Sequence, residues 1–150
     1  MKNMETTSKA AKVIDADGLI VGRMASNIAK RLLEGEQVVI VNAEKAVLSG
    51  RRRSKTAEAK EFLDVGGVGR GPFHHRRPDR MVRRAVKGML PIRQPKGVQA
   101  YRRLQVFIGV PDNLKGQKME TLTNSQAKKL TCAYFTVGEL AKGIGWNRGE

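Results

Sequence analysis

The chain has 150 residues, 29 of them Lys or Arg and 14 Asp or Glu, for a net charge of +15 and a pI near 10.6. With 40% hydrophobic residues it can bury one core but not two of ordinary size, so a single domain is expected. No apolar run approaches the roughly 18 to 20 residues that span a bilayer, and the opening MKNMETTSKAAK has no apolar signal stretch, so the expectation is a cytoplasmic protein without a membrane partner.

In chain order, residues 1–12 are polar and rich in Lys and Ala, and read as a flexible N-terminal segment ahead of a domain over 13–150. VID at 13–15 reads as a short strand, and Asp17 and Gly18 supply turn chemistry. Gly22 precedes a helical pattern in which Ala25, Ile28, Ala29, Leu32 and Leu33 recur at three and four, and Gly35 can close that helix in a left-handed conformation. VVIV at 38–41 is a continuous β-branched run, the pattern of a strand covered on both faces. Strand, amphipathic helix and buried strand make a βαβ unit, which implies a right-handed crossover and parallel strands. The fold class is therefore α/β.

RRRSKTAEAKEFLDV reads as a helix with basic first turns and apolar contacts from Ala59, Phe62 and Leu63. GGVGRGPFHHRR, residues 66–77, has four glycines, a proline and no periodicity, and is expected to be a long loop that folds around phosphates. Asp79 can cap the next helix, whose apolar face is Met81, Val82, Ala85, Val86 and Met89 and whose other face is Arg80, Arg83, Arg84 and Lys87. A short helix from Pro95, with Val98, Tyr101 and Leu104 as its apolar positions, leads to a third strand, QVFIGV, stopped by Pro111. Residues 112–132 are polar and ambiguous. YFT is a short strand, and Thr136 with Glu139 has capping-box spacing before a last helix bearing Leu140, Ala141 and Ile144.

Charge is concentrated between Arg51 and Arg103, where sixteen Lys and Arg stand against Glu58, Glu61, Asp64 and Asp79, a net +12 of the chain's +15. Like charges crowded this way repel one another unless a polyanion neutralises them, so the expected partner is nucleic acid. The basic helix face could be an ordinary solvated surface, but such faces mix signs and this one is positive throughout. Its dominance by Arg suits bidentate phosphate contact. The candidate RNA-binding residues are Arg51, Arg52, Arg53, Lys55, Arg70, His74, His75, Arg76, Arg77, Arg80, Arg83, Arg84 and Lys87.

Other chemistries fit less well. The Gly-rich stretch is not flanked by a strand and a helix and contains no GxxxxGK[ST], and the Asp17 to Gly22 turn is not GxGxxG, so a nucleotide cofactor is not expected. Adjacent His74 and His75 point apart in an extended chain and make a poor metal site; beside Phe73, Arg76 and Arg77 they suit base stacking and phosphate donation, or else packing of the loop on its own domain. Glu58, Glu61 and Asp64 share a helix face and more simply offset its basic start than form a hydrolase centre. Cys132 is alone, so it cannot form an intrachain disulfide, and reads as a small buried hydrophobe or a bystander. A small α/β nucleotide-binding enzyme and a DNA-binding regulator are the rival classes. The first lacks a phosphate loop and the second a helix-turn-helix pattern.

VIDADGLIVGRMASNIAKRLLEGEQVVIVNAEKAVLSG, GRGPFHHRRPDRMVRRAVKGMLP and the closing FTVGELAKGIGW together resemble the L-thirteen family of large-subunit ribosomal proteins, over nearly the whole chain from Val13. That resemblance implies a three-layer α/β/α fold around a small, mostly parallel four-stranded sheet, with a long basic Gly-rich loop. It implies a non-catalytic structural protein that binds large-subunit rRNA, supports subunit assembly and touches neighbouring ribosomal proteins, with no cofactor, metal or small-molecule substrate. Within the family, GPFHHRRP resembles the archaeal and eukaryotic version, and the ending at GIGWNRGE, without a long C-terminal helical extension, resembles archaeal members.

Overall fold

A computed structural model of the protein describes residues 11–147 except Val68, Arg70 and Pro72. Residues 1–10 of the expected flexible segment, and Arg70 among the candidate contacts, lie outside the described residues. Strand β1 (Lys12–Asp15) already includes Lys12, one residue before the expected start.

β1 pairs in parallel with β2 (Val38–Val41), Val13 opposite Val39 and Ile14 opposite Ile40, and helix α1 (Val21–Leu33) joins them as the expected βαβ unit. All four β2 residues are buried, because the strand is central in the sheet and covered on both faces. Gly35 has φ +94° and donates its N–H to the Leu32 carbonyl at 3.1 Å, the left-handed closure its position suggested. Next along the chain are β3 (Val47–Ser49), α2 (Arg52–Asp64), α3 (Pro78–Gly88), α4 (Pro95–Arg102) and β4 (Leu104–Val106). β5 (Met119–Glu120), β6 (Tyr134–Thr136) and α5 (Val137–Gly143) complete the described elements. The main sheet has the order β4-β2-β1-β5 and every pairing in it is parallel; β3 and β6 form a separate antiparallel pair.

One face of the sheet carries the main core, with Ile14, Val38 and Ile40 clustered with Ile28 and Leu32 of α1, Val82 and Val86 of α3 and Ala100 of α4. The other face, Val13, Val39 and Val41, is joined by Met119 of β5 and covered by Val110 and Leu114. The third layer is thus the irregular segment before β5, with a single 3-10 turn at Asp112–Leu114, rather than another α-helix. Pro111 and Gly116 flank that turn, and two apolar residues four apart make no stripe long enough to hold a helix.

Four local expectations shift. Arg77, not Asp79, is the residue before α3, with Pro78 in the first helical position; Asp79 sits within the first turn, where a carboxylate still favours the positive helix end. Met89 falls beyond α3 and is 44% exposed, so it is not core filler. α4 buries Gly97 and Ala100 rather than Val98, and Leu104 belongs to β4. Its backbone lies on the preceding turn so closely that a β-carbon on Gly97 would stand 2.1 Å from the Pro91 carbonyl oxygen. β4 ends at Val106, although Phe107 still donates to Ile40 O at 2.8 Å and extends the pairing irregularly. Cys132 is exposed, which leaves it the bystander's role.

The capping box before α5 is present: Thr136 Oγ1 accepts from the Glu139 N–H, and Glu139 Oε2 accepts from the Thr136 N–H, both at 3.2 Å. α5 in turn receives α2, whose Thr56 faces Gly143. α2 contains no fully buried residue; Thr56, Ala59 and Leu63 are half-buried along one line, and Phe62 is 57% exposed.

Candidate nucleic-acid interface

The interface is built on α3. Its Val82 and Val86 are fully buried, which anchors the helix and leaves Arg80, Arg84 and Lys87 on the outward side. Arg80, Arg84 and Lys87, at i, i+4 and i+7, are all exposed and run over about 10 Å of helix axis. Arg83 is different. It is half-buried, its guanidinium carbon lies 4.7 Å from the ring centre of Tyr101 on α4, and its Nε is buried with no hydrogen-bond partner among the described residues.

The leg of chain entering α3 is fastened at two points. Arg84 Nη1 donates to His74 Nδ1 at 2.8 Å, and the same imidazole meets the Phe62 ring edge-on, centroids 4.9 Å apart. His74 therefore links α2 to α3, which is the loop-packing role weighed for it, while His75 and Phe73 are exposed, Phe73 by 86%. Arg77 Nε and Nη2 donate to the Asp79 carboxylate at 3.1 and 3.2 Å, so this arginine secures the first turn of α3 and is partly neutralised. Arg76 is exposed and lies against the Gly145 turn after α5, its Nη1 3.1 Å from where a β-carbon on that glycine would stand.

Between the loop, α3, the turn at residues 90–94 and α4 lies a cleft of about 870 Å³. It brings together His74, His75, Arg80, Arg83, Arg84 and Lys87 with Phe73, Arg93 and Tyr101, and among the described residues no Asp or Glu lines it. Arg93 and Tyr101 were missing from the residues singled out by sequence: Arg93 stands alone between Ile92 and Gln94, and Tyr101 reads as core. The available clue was the net +12 of the whole stretch, which includes Arg93.

Arg51, Arg52 and Arg53 do not line this cleft. They are exposed at the start of α2, whose first turn has no acidic residue, so three cations meet the positive end of the helix dipole. Lys55 is engaged by Glu58 at 2.8 Å, an exposed i,i+3 pair in which one member of that acidic face offsets a basic residue of the first turns. A second, more apolar cleft of about 690 Å³ separates α2 from α3, lined by Phe62, Leu63, Met81 and Ala85, with Lys55, His75 and Arg84 among its polar lining.

A family model described as Ribosomal protein L13 matches residues 9–113, a span that includes the start of α2 and the whole cleft. The chain belongs to the ribosomal protein L13 family. It is 45% identical over 136 residues to large ribosomal subunit protein uL13 of Archaeoglobus fulgidus, covering 89% of this chain and 87% of that one. To uL13 of Methanosarcina barkeri it is 43% identical, covering 89% and 96%, and to uL13 of Methanococcoides burtonii 41%, with the same shares. Membership of the L13 family makes the chain a structural protein of the large ribosomal subunit and not an enzyme. Among the described residues, no helix is long and apolar enough to cross a membrane.

Proposed function

We propose that this chain binds large-subunit rRNA through phosphates laid on the exposed face of α3 and the start of α2, and that it thereby supports folding and assembly of the subunit in the cytoplasm, beside neighbouring ribosomal proteins. The observation that carries this reading is the cleft and helix face from Phe73 to Tyr101, populated by Arg, Lys and His with no carboxylate among its described lining. Surfaces of this kind position RNA by its shape and phosphate geometry more than by base sequence.

The test is filter binding of purified large-subunit rRNA across a salt series. Replacing Arg80, Arg84 and Lys87 with Gln should weaken binding and shallow the slope of log affinity against log salt by about 0.7 to 0.9 for each phosphate that the protein no longer neutralises. The control replaces Lys118 and Lys128, exposed and outside the dense basic segment, with Gln. Equal flattening by the control would mean that net charge alone drives association.

A further inference from the structure

The same cleft has a property that phosphate binding does not require. It is concave, its volume of about 870 Å³ falls in the range of clefts that enclose a small ligand, roughly 300 to 1,000 Å³, and part of its lining is apolar or aromatic. Phosphates laid along a helix need only the exposed face. We infer that the cleft receives one unpaired RNA base, stacked between the Phe73 ring and the Arg83 guanidinium, with the adjoining phosphates on Arg80, Arg84 and Lys87. This rests on the rRNA-binding reading above and names the part of the RNA that this site takes.

Three observations converge on it. The Arg83 guanidinium lies over the Tyr101 ring at 4.7 Å, lines the cleft and pairs with no carboxylate among the described residues, so the ring backs a planar cation of the kind that stacks on bases. Phe73 is 86% exposed on the same cleft, a large ring left in water where a stacking partner would cover it. The surrounding side chains are cationic without a compensating acid, which suits the phosphodiester attached to an inserted base. A base inside a duplex is stacked and paired and cannot enter such a cleft, whereas loops and bulges present bases already splayed out.

Base stacking and phosphate contact separate experimentally, because stacking releases no counterion. Phe73→Ala, at a position too exposed to disturb the core, should weaken binding to purified large-subunit rRNA between about fivefold and a hundredfold at fixed salt and leave the salt slope unchanged. Ultraviolet cross-linking of the wild-type complex, read by mass spectrometry, should place base adducts on Phe73, and the linked nucleotide should be one that is unpaired in the rRNA. The inference is overturned if Phe73→Ala binds as the wild type does and adducts fall only outside the cleft; a retained steep salt slope would then leave the phosphate reading standing. Failure of the wild-type chain to bind the rRNA at any salt removes both.

Discussion

Arg83 and Arg84 are adjacent on one helix, yet their environments assign them different work. Arg84 is exposed and meets His74, whereas Arg83 is half-buried on Tyr101. Arg83→Gln should therefore cost about 1 kcal/mol in urea unfolding, because it removes the cation–π interaction and the packing of the arginine stem, while Arg80→Gln and Lys87→Gln stay within about 0.5 kcal/mol of wild type. Equal stability of all three variants would show that the Tyr101 ring contributes nothing. Periodicity put Arg80, Arg83, Arg84 and Lys87 on one face and could go no further, because the difference comes from α4, a separate element across the cleft. A second residue-scale pair is Arg31 with Glu120, bidentate at 2.6 and 2.8 Å, which ties α1 to the edge strand β5. The Arg31 hydrogen bonds hold the Glu120 carboxyl below its ordinary range. Its contribution is present above the unfolded carboxyl pKa of about 4.3 and is lost as pH falls through the depressed folded value. Glu120 is substantially exposed, so wild type should exceed Glu120→Gln by only about 0.2 to 1 kcal/mol at pH 7. That gap should close at acid pH and narrow in high salt; a gap independent of both would point to packing instead.

Elements with a periodic, β-branched or capping pattern carried their own signal, and β3 and β5 did not. The spacing of Ile28 and Leu32, the run Val38–Val41 and the pair Thr136 with Glu139 each correspond to an element in the expected place. β3 and β5, with three and two residues, are too short to show a period and exist because β6 and β1 pair with them. The buried face of α4 was misjudged for a related reason: it is formed by Gly97 and Ala100, and no hydrophobicity pattern marks a glycine. Gly97→Ala should be among the most damaging small substitutions in the chain, because the added carbon meets backbone at Pro91 rather than a yielding side chain. A loss of at least about 3 kcal/mol in urea unfolding is expected, the upper end for overpacking. Leu32→Ala, at a fully buried position, should cost about 2 to 5 kcal/mol through the cavity it leaves, and Lys30→Ala, on the exposed face of the same helix, close to nothing. If Gly97→Ala unfolds at wild-type urea, the Pro91 turn moves freely and does not brace the cleft wall that Tyr101 and Arg93 share.

At the scale of the whole molecule, several acidic residues outside the basic segment make internal bonds: Glu36 with Lys12, Glu120 with Arg31, Glu44 with the Gly109 N–H and Glu139 in its capping box. The basic segment has few such partners, and the sequence made that imbalance legible without showing which cations it leaves free. The start of α2 is the sharpest case. Arg51 precedes the helix, Arg52 and Arg53 open it, and all three face a partial positive charge with no acid in the first turn and no side-chain cap. In the free protein this arrangement opposes stability; against a phosphate, the cations and the helix amides act together. Changing Arg51, Arg52 and Arg53 to Gln should therefore move stability and affinity in opposite directions. Unfolding free energy at low salt should rise by something like 0.3 to 1 kcal/mol per charge removed, with the gain fading as salt screens the repulsion. Affinity for large-subunit rRNA should fall, with a shallower salt dependence. A variant that loses stability as well as affinity would show that these arginines hold the helix in place, and that the charge at the start of α2 serves the fold before it serves the RNA.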